Sequence, residues 1–320
     1  MLAATAESVA DAVAALGEVS VEWKLDGIRI QVHKSGSDVK IFTRNLNDVT
    51  TRVGDIVHIV RAFPADTLVL DGEVIGGQDA AGPDAFQDTM SRFGREKDTS
   101  DAASSTLAPW FFDVLHLDGN DLIDAPLTER RQQLELVVVE RMIPGEITSS
   151  PQAAEEVLAQ ALASGHEGVM VKAADSPYLA GRRGKTWRKV KPVHTFDLVV
   201  LAIEWGHGRR TGRLSNLHLG AQTADGNFVM VGKTFKGMAD EVLAWQTQRF
   251  TDLAIEPDTI NDHHVVKVHP VQVVEIAIDG VQRSSRYPGG VALRFARVKG
   301  YRADKPASEV DSIDSLQEML

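Results

Sequence analysis

The stretch Glu22 to Arg29, EWKLDGIR, carries one lysine through a change of apolar parity. Val19, Val21, Trp23 and Leu25 alternate with Ser20, Glu22, Lys24 and Asp26, the period of a strand with one apolar and one polar face. Beyond Asp26-Gly27 the apolar positions shift to Ile28, Ile30 and Val32, which predicts a second strand joined to the first at a tight Asp-Gly turn. Lys24 therefore stands just ahead of a bend, where a ligand has access to its amine. A lysine on the wet face of any hairpin has the same signature, so the octapeptide alone leaves a reactive amine and a solvated one both open.

The 320 residues suffice for two domains, and 43% hydrophobic with 25% charged is the profile of a soluble globular protein. There is no cysteine, which excludes disulfides and cysteine-held zinc and predicts a cytoplasmic protein. The N-terminal MLAATAESVADAVAALGE has no basic region and is broken by Glu7 and Asp11, so it does not read as a secretory signal. No apolar run is long enough to span a bilayer. The net charge of -11 is uneven: residues 1–181 hold 14 Lys and Arg against 29 Asp and Glu, whereas residues 182–302 hold 19 against 11. A basic part after an acidic one suits a polyanionic partner, or simply balances its neighbour.

Val9, Val13 and Leu16 predict a short helix ahead of the first strand. Strands are expected at 39–44, 67–75 and 108–119, with helices from Thr128 towards Met142 and from Ser150-Pro151 to Gly165. From Phe196 onward, about five short strands and one helix near Asp240 to Phe250 predict a small closed barrel, with a boundary at Lys191-Pro192 and a terminal helix in the acidic tail. Further segments also put charge on strands: LDGEVI with Glu73, WFFDVLHLDG with Phe112-Asp113, EGVMVK with Glu167 and Lys172, and WRKVK with Lys189 and Lys191 on one face. The run RRGKTWRKVK at Arg182 to Lys191 has six cations and no acid, as a phosphate contact or a solvated loop would. His263 and His264 show no metal-ligand spacing and read as structural.

In this order the segments resemble the motifs of the covalent nucleotidyltransferase superfamily of ATP-dependent DNA ligases, RNA ligases and mRNA capping enzymes. GHGRRTGRLSNLHLGA and LRFARVKGYRADK make the resemblance closest to bacterial and archaeal ATP-dependent DNA ligases. It implies an α+β protein: a nucleotidyltransferase (adenylation) domain of antiparallel sheets with helices over 1–192, then an all-β OB-fold barrel over 193–320. It also implies ATP, with AMP as a covalent lysine adduct, Mg²⁺ or Mn²⁺, and nicked double-stranded DNA as partner of a monomer away from the membrane.

By the same resemblance, Lys24 is the nucleophile and Asp26 orients its amine. Glu22 reads the adenine amino group and Phe112 stacks on the base, although Trp110 and Phe111 compete with Phe112 for the ligand side. Arg29 and Arg44 contact sugar and phosphate. Glu73 and Glu167 serve ribose and metal, and Lys172, Lys189 and Lys191 hold the α-phosphate. Arg294, Arg297, Arg302 and Lys305 orient pyrophosphate in the first step, with a hinge near Lys191 to Thr195. An unperturbed lysine is neutral only about once in 2500 at pH 7, a handicap of about 4.6 kcal/mol, so cations such as Lys189 and Lys191 must assist. Larger ligases of this type carry a helical DNA-binding domain ahead of the nucleophile, and with 23 residues before Lys24 the expectation is a catalytic core lacking it. VGKTFKGM, where a smaller glycine-rich turn is expected, and the PASEVDS ending also depart from the usual pattern. An RNA ligase or GTP-using capping enzyme, and a non-catalytic nucleic-acid clamp, are the alternatives on the same scaffold.

Overall fold

The Asp26-Gly27 turn does not make a hairpin. In the computed structural model, which describes residues 1–77, 107–181, 183–257 and 264–320, β2 (Val19–Trp23) and β3 (Ile28–Ser35) belong to different sheets. The first sheet runs β1 (Leu2–Thr5), β10 (Arg183–Val190), β9 (Val169–Ala173), β2 and β8 (Gly145–Thr148) in spatial order. The second runs β4 (Asp38–Thr43), β3, β5 (Thr67–Gly76), β6 (Leu107–Leu117) and β7 (Asn120–Asp121). The reason is local. Past Trp23 the Lys24 N–H is taken by the Gly168 carbonyl at 2.8 Å, which keeps the chain in the first sheet, and Gly27 then presses against the second. A Cβ on Gly27 would lie 2.3 Å from the Val74 carbonyl oxygen, so only glycine passes between the sheets there.

These sheets form one of two compact units, Met1–Lys191, the other being Pro192–Leu320. Helices α1 (Val9–Leu16) and α4 (Pro151–Ala163) bury Val9, Val13, Ala154, Val157 and Ala161 against Val19, Val21, Val169 and Val171 of the first sheet. Ser8 and Ser150 cap these two helices, each accepting a backbone N–H three residues on, as the sequence pattern requires. Helices α2 (Gly54–Arg61) and α3 (Leu127–Val138) cover the second sheet over Ile30, Val32, Ile56, Leu70, Phe111 and Leu134. The odd positions of β2 thus face helices. Its even positions were expected to face water, yet Ser20 and Glu22 are almost fully buried, because that face is covered as well. β1, which pairs parallel to β10, has no counterpart in the sequence reading.

In the second unit the expected short strands form a six-stranded sheet. Its order is β13 (Phe228–Thr234), β12 (Leu214–Gln222), β11 (His194–Trp205), β15 (Val273–Ile278) and β18 (Arg297–Arg302), with β14 (Val265–Lys267) on the far end of β11. A hairpin of β16 (Gly280–Arg283) and β17 (Val291–Arg294) and helices α5 (Asp240–Asp252) and α6 (Ile313–Gln317) complete it. Among the described residues no ladder closes the sheet. Its two edges meet through Val298 N–H to the Lys236 carbonyl at 2.9 Å and Thr234 Oγ1 to the Ala296 carbonyl at 2.5 Å. Arg182 and His263 lie outside the described residues.

Gly27→Ala is expected to destabilise the protein by about 1–3 kcal/mol through the clash with the Val74 carbonyl. Gly36→Ala, whose Cβ would meet nothing within 4 Å and whose only cost is a φ of 55°, should cost less. Chemical denaturation of both variants checks this order.

Candidate active site

Between the helix-free faces of the two sheets lies a cavity of about 290 Å³, at the low end of the roughly 300–1,000 Å³ typical of small-molecule pockets. Register explains what lines it. In the first sheet Glu22 stands beside Met170 and Met170 beside Lys189; Ser20 stands beside Lys172 and Lys172 beside Trp187. Cross-strand neighbours share a face, so two rows of polar and large side chains point into the cavity together. A third row holds Lys24, Gly168 and Lys191. A Cβ at Gly168 would come within 2.2 Å of the Val190 carbonyl, so this glycine, at φ 137°, lets the chain between Lys24 and Lys191 approach closely.

Glu167, just ahead of that glycine, joins the two lysines. Its Oε2 accepts from Lys24 Nζ and lies 2.5 Å from Lys191 Nζ. Burial opposes ionisation of Glu167, but the Lys24 and Lys191 ammoniums prevail and hold its carboxyl at about 2. Glu167 thus supplies an orienting contact to the Lys24 amine. Glu167, one of the two carboxylates expected at a divalent metal, is thereby engaged by two ammoniums. Glu73, the other, lines the cavity and accepts no hydrogen bond from any described residue. Burial lifts its carboxyl to about 7, against the pull of Lys24 and Arg29 and with Asp71 and Asp26 adding to the rise. A hard cation with its waters would relieve that carboxylate.

Lys172, expected at the α-phosphate, lines the cavity with its ammonium on Glu22. Its ammonium is buried, 2.5 Å from Glu22 Oε2 and 4.6 Å and 4.3 Å from the ring centres of Phe112 and Trp187. Glu22 also accepts from Arg131 Nη1 at 3.0 Å and Ser20 Oγ at 2.8 Å. Burial raises its carboxyl and these cations more than offset that, so it lies below the usual carboxylate range. Of the three competing aromatics, Phe111 is wholly buried in the core of the second sheet, while Phe112 lines the cavity and packs edge-on to Trp187.

Arg29 lines the cavity too, held by both oxygens of Asp71 at 2.9 and 2.6 Å and by the Tyr178 hydroxyl. Burial would lower its guanidinium pKa, but Asp71 raises it, so the charge is permanent. Lys189 and Arg44 also line the cavity, and among the described residues neither has an ion-pair partner. The sequence reading missed Tyr178 and Arg131, which stand in no motif and reach the site from elsewhere in the chain. Arg294, Arg297, Arg302 and Lys305 lie in the second unit. There Arg297 pairs with Asp279 at 3.0 Å, and Asp197 holds Arg302 at 3.0 Å and Lys305 at 2.8 Å. His264 stacks on His207 beside Glu204.

The chain belongs to the ATP-dependent DNA ligase family: residues 1–191 match the model of the ATP dependent DNA ligase domain and residues 210–305 that of the ATP dependent DNA ligase C terminal region. Over its whole length it is 57% identical to a protein of Pseudarthrobacter chlorophenolicus, and 56% to one of Mycolicibacterium gilvum, both named Probable DNA ligase. It spans 63% of the length of each. Among solved structures, the ligase domain of LigD from M. tuberculosis is 25% identical with a TM-score of 0.51, covering 97% of this chain and 96% of that one. A Lig E DNA ligase, 20% identical with a TM-score of 0.58 and covering 94% and 98%, shares the fold. The expected α+β architecture is thereby borne out.

The raised carboxyl of Glu73 makes a signed prediction. The folded state binds this proton more tightly than the unfolded state, whose carboxyl lies near 4.5, so ionising it costs stability as pH rises from about 4.5 to 7. Glu73→Gln should therefore raise the melting temperature relative to the parent at pH 8, with the gain fading by pH 4; a gain that does not change with pH would contradict the assignment.

Proposed function

We propose that this chain is the catalytic core of an ATP-dependent DNA ligase. The observation that carries the reading is one amine, Lys24, held by a carboxylate at the edge of a cavity also lined by Lys189 and Arg44, two cations with no ion-pair partner among the described residues. In the first step the Lys24 ammonium gives one proton to solvent, its nitrogen then forms a bond to the α-phosphorus of ATP as the bond to the bridging oxygen breaks, pyrophosphate leaves, and the second proton freed at nitrogen passes to solvent. Glu167, kept ionised by the Lys24 and Lys191 ammoniums, orients the amine. Lys189, Arg44 and Lys191 supply charge for the phosphates, where catalysis rests on positioning and electrostatics. A divalent cation, Mg²⁺ or Mn²⁺, held by Glu73 through water, would neutralise phosphate charge.

The adenine end follows from donor and acceptor chemistry. Glu22 accepts and Lys172 donates, side by side, which matches the 6-amino group and N1 of adenine. Guanine presents an acceptor and a donor in the reverse order, which favours ATP over GTP and a ligase over a capping enzyme. Phe112 offers its ring to the base. AMP then passes from Lys24 to the 5′-phosphate of nicked double-stranded DNA, and the 3′-hydroxyl displaces it to seal the strand. In this reading the chain works as a cytoplasmic monomer. Arg294, Arg297, Arg302 and Lys305 of the second unit orient pyrophosphate in the first step only, and a hinge at 191–195 moves them away for the later ones.

Intact-mass measurement after mixing with ATP and Mg²⁺ tests this. The parent should gain one AMP, lose it on addition of nicked duplex DNA, and gain nothing with GTP; Lys24→Ala should gain nothing at all. Adduct on the alanine variant, or none on the parent, removes the proposal.

A further inference from the structure

Arg131 belongs to none of the motifs, yet it reaches the carboxylate that lines the cavity. It projects from α3, next to Arg130, whose guanidinium is spent on Asp113 and on the Ala125 and Ser176 carbonyls. Arg131 instead spans two strands of the first sheet. Its Nη1 donates to Glu22 Oε1 at 3.0 Å and to Ser20 Oγ at 3.3 Å on β2, and its Nη2 to the Gly145 carbonyl at 2.9 Å on β8. With Ser20 Oγ also donating to Oε1, both lone pairs of that oxygen are occupied. Among the described residues Oε2 takes only Lys172 Nζ, which leaves one acceptor site on Glu22, on the oxygen beside the lysine.

We propose that Arg131 is a positioning residue for nucleotide choice: by filling Oε1 and tying Glu22 to the Gly145 carbonyl, it fixes the one free lone pair of Oε2 next to the Lys172 ammonium. The inference rests on the reading of the cavity as an adenine-nucleotide site. One arm of the planar guanidinium holds Glu22 Oε1 and the other the Gly145 carbonyl, so the carboxylate is tied at a fixed reach to β8, which a single-point cation does not do. Without that hold Glu22 is free to turn away, leaving Lys172 as a lone donor. A lone donor serves the O6 acceptor of guanine as well as the N1 acceptor of adenine, so discrimination falls rather than reaction as such.

The test is the first-step rate of the full chain, parent and Arg131→Lys, with ATP, GTP and purine riboside triphosphate, which lacks the 6-amino group. Lysine keeps the charge and reaches one partner but not both. The variant should lose about tenfold or more of the ATP preference over each competitor, mainly through a higher KM for ATP, with a melting temperature near that of the parent. In a Glu22→Gln background the same change should cause no further loss of preference. If all three nucleotides slow together and the ratios stay put, or if the loss persists without Glu22, the role is overturned. A parent that fails to load with ATP would instead overturn the reading of the cavity itself.

Discussion

One carboxylate oxygen organises the site. Glu167 Oε2 receives the Lys24 and Lys191 ammoniums, and through them connects the end of β2, the start of β9 and the end of β10. Such a bridge between partly buried charges is costly to break, about 3–5 kcal/mol when one partner of a buried pair is lost, because the remaining charges stay in poor solvent. Gly168 makes it possible by letting Lys24 and Lys191 come together around it. The nucleophile is thus fixed by the same contacts that align three strands, and its position is a property of the fold rather than of a mobile loop.

Around this bridge the cavity divides its charges by their partners. Glu22 pairs with both Lys172 and Arg131 at the end assigned to the base, and burial there holds all but one acceptor site of the carboxylate in hydrogen bonds. Lys189 and Arg44, without an ion-pair partner among the described residues, keep charge at the wall assigned to phosphate, and Glu73 keeps an acidic group whose ionisation the surroundings resist. The first arrangement specifies shape and hydrogen-bond pattern. The second stores electrostatic cost that a polyanion and a cation relieve on binding, the usual exchange of stability for activity.

Much of this was legible in the sequence, because strand alternation states which side chains share a face. Glu22 with Lys24, and Lys189 with Lys191, follow from period two alone, and the capped helix at Ser150-Pro151 from local chemistry. What period two does not state is which strand lies alongside. The Asp26-Gly27 turn reads as a hairpin until the contact with the Val74 carbonyl is seen, and Glu22 reads as wet until Arg131 arrives from α3 and Lys172 from β9. For Lys172 the motif likewise gives the strand, whereas its ammonium is set by two rings and a carboxylate from three other elements. Glu167, which holds the Lys24 amine, is distant from it in sequence, and neither Tyr178 nor Arg131 carries any local signal of what it holds.

The most direct measurement is peptide-level mass spectrometry of the AMP adduct over time, in the parent and in Glu167→Gln. If the bridge fixes the nucleophile, the adduct sits on Lys24 in both proteins and forms much more slowly in the glutamine variant. An adduct on another residue, or equal rates of loading in the two proteins, would contradict it.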